Sequence, residues 1–282
     1  MPVRMPERSK NSPRVGSLTI QTMVVFVTAL KSATLCVDWR AHCALVEASL
    51  RSVFRQSNKH FQVVLVCHEA PVFTIPFDSR LCVIEAGYEP PERSTFSEAA
   101  GSVDKFRKLQ IAMAAAGQMA PGYVMMKDAD DFVHKDLVNY VLSDAHPNGY
   151  RVNTGYVWPW RSRWVRSVDG FWQQVGTSAV VNARHIDFPA VDASDGDGCI
   201  ILTHGHGIIG QELAKRGFPL ADIPFTSVLA VAQHGENNSH PVAESWMRRW
   251  WRRSHWQQFA TRLPHYRYRG AAINEAFGLV GA

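Results

Sequence analysis

The sequence predicts an α/β fold, a single domain with a mostly parallel central sheet flanked by helices, and three observations carry that prediction. Short apolar runs rich in β-branched residues alternate with longer amphipathic segments through the first half of the chain. One of those runs, Tyr123-Val124-Met125-Met126, stops abruptly at Lys127-Asp128-Ala129-Asp130-Asp131, three carboxylates within four positions. A chain of 282 residues with 46% hydrophobic content is also long enough to bury one sizeable core.

Met23 to Val27 is the first strand, because it is apolar and β-branched. Arg40 to Gln56 places Ala44, Leu45, Ala48 and Val53 among polar residues at helical spacing, so it reads as an amphipathic helix. Phe61 to Cys67 follows as a second strand and completes a βαβ unit, whose crossover makes the two strands parallel. A short strand at Leu81 to Ile84 and a helix from about Val103 to Ala116 precede the acid-tipped strand. In open α/β sheets the ligand crevice lies outside the carboxyl ends of the strands, which puts the carboxylates where ligands bind. Asp128 and Asp130 share a side-chain direction in extended chain and repel each other unless a cation holds them. Mg²⁺ or Mn²⁺ suits that role, since both take oxygen ligands and share them with substrate phosphates. A plainer reading makes Asp131 the cap of a helix over Asp136 to Leu142.

Three stretches together resemble the nucleotide-sugar glycosyltransferases of the A-type (GT-A) fold, in particular the inverting group with an Asp-x-Asp motif. The first is Ser49 to Ser57 with the strand Phe61 to Val66, similar to that family's first helix and second strand. The second runs from Asp104-Lys105-Phe106-Arg107-Lys108 to Gly122-Tyr123 and on to Asp128-Ala129-Asp130-Asp131, the most specific match. The third is Gly217-Phe218 through Ile223-Pro224 to His234-Gly235-Glu236-Asn237-Asn238-Ser239, similar to a closing strand that often ends in a histidine beside a metal. The resemblance implies a Rossmann-type domain that transfers a sugar from a nucleotide-diphosphate donor to a glycan or glycolipid hydroxyl with inversion. It implies Mn²⁺ or Mg²⁺ on Asp128, Asp130 and His234. It implies donor contacts from Thr28, Glu69, Asp104, Lys108 and Asp128, while Asp131 only orients its neighbours. Lys105, Arg107 and Lys108 bring cations near the metal strand, where a phosphate can meet them. Gly176 to Val181 looks like the family's small-residue turn and strand beside the donor sugar.

The chain departs from that pattern twice. Where the family has an acidic pair ahead of its last strand, this sequence has Thr203-His204-Gly205-His206-Gly207 running to Gln211-Glu212. An inverting transfer needs a general base for the acceptor hydroxyl, and His204, His206 and Glu212 are the candidates, with Asp195 and Asp197 in the loop before them. After the second strand, Cys67-His68-Glu69-Ala70-Pro71 stands in place of an acidic pair that holds the nucleobase, leaving Glu69 as the one carboxylate there.

Tyr156 to Arg166 is dense in indole and guanidinium groups, which suits either stacking against sugar and an anionic acceptor or a hairpin with one buried face. In Trp246-Met247-Arg248-Arg249-Trp250-Trp251-Arg252-Arg253 apolar and arginine pairs alternate, giving a basic amphipathic helix at 246–253. It can lie on an anionic membrane surface, as a lipid-linked acceptor requires, or dock its Trp face on the domain. The expected organisation is a flexible tail at 1–20, a catalytic domain at 21–240 and a basic Trp-rich helical extension at 241–282. Residues 1–16 lack a secretory apolar core, and five cysteines without metal-type spacing read as reduced thiols, so a cytoplasmic location is expected, peripheral at the inner face of the membrane if 246–253 binds lipid. The net charge of +5 with its Trp/Arg clusters also fits a nucleic-acid-binding module, which leaves the acid-tipped strand unexplained. A nucleotidyltransferase would gather carboxylates too but wants a glycine-rich basic loop that this chain lacks, and the missing acidic pair fits a non-catalytic sugar-binding protein.

Overall fold

The structure is a computed structural model that describes residues 22–95, 97–190, 199–203, 206–232 and 265–279. Its first half follows the expected alternation: β1 (Val24–Ala29), α1 (Trp39–Phe54), β2 (Phe61–Cys67), β3 (Leu81–Glu85), α2 (Glu98–Gln118) and β4 (Tyr123–Met126). β1 lies between β2 and β4 and is parallel to both, with Val24 opposite Phe61 on one side and Tyr123 on the other. β3 extends the parallel set beyond β2. Helices cover both faces of this sheet, so β1 and β2 are buried almost throughout and their sequences are apolar except for Thr28 and Gln62. Asp38 caps α1 by accepting from Ala41 N, and Ser97 caps α2 by accepting from Ala100 N. The Ser97 cap starts α2 more than a turn ahead of the expected Val103.

From β4 onward the chain continues as β5 (Phe132–Val133), α3 (Leu137–Asp144), β6 (Gly149–Arg151), β7 (Thr154–Pro159), β8 (Trp164–Asp169), β9 (Ala179–Asn182), α4 (Ile200–Thr203), α5 (His206–Lys215), β10 (Ala221–Asp222) and β11 (Val228–Ala232), followed by β12 (Tyr266–Tyr268) and a helix, α6 (Ala271–Phe277). The central sheet has the order β10-β6-β9-β4-β1-β2-β3. It is mixed and not wholly parallel, because β9 runs antiparallel to both β4 and β6. A strand entering antiparallel needs no covering crossover helix, so the helix–strand alternation that signals parallel pairing ends at β4.

A second sheet, ordered β12-β8-β7-β11-β5, stands beside the first. Phe132, Trp158, Val165, Leu229 and Val231 form its core together with Phe277 and Leu279 from the end of the chain and Leu45 of α1. Leu50 and Val53 of the same helix pack into the core beneath the central sheet, so α1 serves both layers. The expected boundary at 240/241 lies outside the described residues, as do the tail at 1–20 and the segment 246–253. What is described near the C-terminus returns to the body, with β12 pairing antiparallel to β8 and Lys135 N donating to Ala276 O. The five cysteines are free thiols, and no described helix is long and apolar enough to cross a membrane.

Candidate functional site

The acidic segment after β4 sits at the carboxyl end of the parallel strands, where the ends of β1 and β2 also lie. Its shape is set by two buried side chains from distant elements. Thr177 Oγ1, in the turn before β9, accepts from Asp128 N at 2.9 Å and donates to Asp131 Oδ2 at 2.5 Å, closing the segment end to end. Asp131 Oδ1 accepts from Val231 N of β11 at 3.2 Å, so this carboxylate joins the two sheets and does not face solvent. Burial drives the Asp131 pKa up, the Asp130 and Asp128 charges push it further, and the Thr177 hydrogen bond and Lys127 pull it back. Gly176 lies against this carboxylate, and a Cβ there would stand 2.8 Å from Asp128 Oδ2, so the carboxylate would have to shift. Asp128 and Asp130 remain partly exposed.

Lys127 lies behind this loop, fully buried, and donates to Ser49 Oγ at 2.5 Å and to the Asp128 carbonyl at 2.9 Å. Burial brings its pKa down to about 8 against the pull of Asp131, Asp130 and Asp128. Ser49 begins a polar stripe on α1. Ser49 Oγ donates to Asp131 O at 2.6 Å, Ser52 Oγ accepts from Val133 N at 3.0 Å, and Gln56 bridges His134 O at 2.7 Å and Val138 N at 2.8 Å. Ser49 and Ser52 lie on one face of α1 and Gln56 follows just past its end, so this one stretch satisfies the backbone of the chain leaving the acid loop.

α2 supplies the cations. Lys105 Nζ lies 2.5 Å from Asp128 Oδ1, with its side chain 44% exposed. One position earlier the helix turns inward: Asp104 is buried and accepts from His68 Nε2 and Lys108 Nζ, each at 2.7 Å, and from Tyr88 OH at 3.2 Å. Burial alone would raise the Asp104 pKa, but the Lys108 and His68 hydrogen bonds outweigh it and hold the carboxyl below its ordinary value. Lys108 also donates to Leu30 O at 2.7 Å, so it serves Asp104 and the end of β1 and is closed to solvent. Arg107 stacks its guanidinium over Tyr88, 3.6 Å from the ring centroid.

The structure therefore brings Thr28, Glu69, Asp104, Lys108, Asp128 and Asp130 to one edge of the sheet. Glu69 turns back to accept from Ser32 Oγ and Ala33 N, both at 2.9 Å, which ties the β2 end to the loop after β1. Thr28 Oγ1 and His68 Nδ1 are buried at that edge without a hydrogen-bond partner among the described residues. His206 is the first residue of α5, and Glu212 of that helix pairs with Lys215 at 2.6 Å. His204, His234, Asp195 and Asp197 lie outside the described residues. The Trp/Arg segment is the hairpin β7–β8, with Trp158 wholly buried and Trp164 51% exposed against Tyr268. A separate groove of about 590 Å³ runs along the β3 edge, lined by Phe73, Ile75, Phe77 and Val83, and no acid-loop residue lines it.

Asp128 and Asp130 suit a hard divalent ion in chemistry and exposure. Among the described residues no set of three or more His, Cys, Asp or Glu side chains is grouped to hold a metal. The remaining ligands would then come from substrate phosphate, water or His234, a division of labour usual for Mg²⁺. Lys127 and His68 were given no role by the sequence, and Thr177 figured there only within the Gly176–Val181 stretch expected beside the donor sugar. Only Lys127 gave a local signal, a charge continuing an apolar strand without interruption.

No protein-family model matches the chain, and no curated protein does. Among solved structures the chain is similar to S. aureus TarS 1-349 in complex with UDP, at 11% identity and TM-score 0.43, covering 75% of this chain and 61% of that one. It is also similar to the glycosyltransferase GlyE of Streptococcus pneumoniae TIGR4, at 11% identity and TM-score 0.38, covering 88% of this chain and 66% of that one. The chain thus spans less than two thirds of either protein.

Proposed function

We propose that this protein is a metal-dependent glycosyltransferase that moves a sugar from a nucleotide-diphosphate donor to a glycan or lipid-linked hydroxyl, with inversion at the anomeric carbon. The observation that carries the reading is the convergence, at the carboxyl ends of parallel β1, β2 and β4, of two partly exposed aspartates and a lysine ammonium 2.5 Å from one of them. A diphosphate leaving group needs positive charge next to it, and carboxylates at that position recruit such charge. Asp128 and Asp130 would hold Mn²⁺ or Mg²⁺, which supplies electrostatic stabilisation of the departing diphosphate. Lys127 and Thr177 hold the backbone of Asp128 in place. Thr28 Oγ1 and His68 Nδ1, buried without a hydrogen-bond partner among the described residues, support a polar ligand at the ends of β1 and β2, where the donor's nucleoside would bind. A base from His204, His206 or Glu212 would take the acceptor proton.

Thermal unfolding against UDP, GDP, dTDP, CDP and ADP, each with and without Mn²⁺, tests the reading. Selective binding to the folded state raises the melting temperature by mass action. One nucleotide should stabilise the wild type only with Mn²⁺, and Asp130→Ala should abolish the shift. Absence of a shift with every nucleotide and metal would sink the proposal.

A further inference from the structure

The Lys105–Asp128 pair has a role that a surface ion pair would not need. Asp104 and Lys108, on either side of Lys105, are locked in a buried network that fixes this stretch of α2. Lys105 is left as the exposed member, on a flexible four-carbon stem with a compact charge at its end. Asp128 is restrained as well, because its Oδ2 rests against Gly176 and its backbone N–H is held by Thr177. A metal ion that uses Asp128 Oδ1 therefore competes with the ammonium for that oxygen. Asp130 and Asp131 add to the field of Asp128 at that ammonium.

We propose that Lys105 is a cationic latch: its ammonium holds Asp128 while the site is without ligand, and it exchanges the carboxylate for phosphate oxygens when a nucleoside diphosphate and its divalent ion arrive. This rests on the donor-site reading above. The latch makes metal alone a poor ligand, since an ion pair must open with nothing for the lysine to move to. With a diphosphate present the lysine regains a partner, so metal and nucleotide favour each other's binding to the same degree.

Mn²⁺ titrated alone, followed by the electron paramagnetic resonance signal of the free aqueous ion, tests the latch on wild type, Lys105→Met and Lys105→Arg. The Kd for Mn²⁺ should fall about tenfold in Lys105→Met, within the usual range of coupling between sites. Lys105→Arg retains the charge and should stay near the wild type. Equal or weaker Mn²⁺ binding by Lys105→Met overturns the latch; if a nucleotide with Mn²⁺ still stabilises the wild type, the donor site stands without it. If neither Mn²⁺ nor any nucleotide of the panel binds wild type or variants, the donor-site reading falls and the latch falls with it.

Discussion

Thr177 holds both ends of the acid loop through one hydroxyl, donating to a buried carboxylate and accepting from a backbone amide. Thr177→Val preserves its shape and removes both bonds, leaving Asp131 Oδ2 short of a partner in the interior. A buried polar group deprived of its hydrogen bond costs about 1–3 kcal/mol, so the urea midpoint should fall accordingly, and Thr177→Ser should recover most of the loss. An unchanged midpoint in the valine variant would mean that the loop does not depend on this hydroxyl. The aspartates themselves were readable in the sequence because an apolar run ending in charge is a local pattern. The residues that aim them were not, since Thr177 reaches Asp131 across 46 positions and Lys127 reaches Ser49 across 78. Such contacts leave no periodic trace. Lys105 had been visible as a cation near the loop, but its partner is set by how α2 docks.

α1 shows the same division one level up. Its apolar positions predicted a helix, which is present, and of the expected buried face Leu45 and Val53 are buried, Ala48 is half-buried and Ala44 is exposed. The polar stripe of Ser49, Ser52 and Gln56 explains why the sequence around this helix is so distinctive, because each side chain satisfies backbone groups of residues 131–138. Gln56→Leu should leave Val138 N unpaired at the start of α3, while His134 O keeps its bond from Leu137 N. The expected loss is about 1–3 kcal/mol per unpaired buried group, measurable as a lower chemical-denaturation midpoint with unchanged helix content by circular dichroism. If Gln56→Leu is as stable as the wild type, α1 is not the element that orders this loop. β5 and β10 escaped the sequence because each has two residues, too few for alternation to register. The antiparallel entry of β9 escaped for a different reason, since apolar strand sequence does not encode direction.

The molecule as a whole is two sheets sharing one helix, and His134 sits at their meeting. Its N–H donates to Ser227 O at 2.8 Å, and its ring packs edge-on against Phe225 and against Phe277 of α6. Burial lowers its pKa from 6.5, Asp136 opposes that shift and Lys135 reinforces it. The unfolded chain therefore binds this proton at higher pH than the folded one. The His134 contribution to stability should be complete above about pH 6.5 and should decline as the pH falls below it, because the unfolded state takes up the proton first. Urea midpoints measured across that range should show the decline in the wild type and a flatter profile in His134→Asn, which keeps an acceptor near Nδ1 but does not titrate. Parallel profiles would exclude His134 as the source.

Asp131 gives this architecture its final consequence. One of its oxygens answers to the turn before β9 in the central sheet and the other to β11 in the second sheet. The cradle for a ligand and the seam between the layers are therefore the same few atoms, and they cannot loosen separately. A ligand in the acid loop should therefore slow hydrogen exchange at the Val231 amide, which Asp131 holds from the other side of that seam.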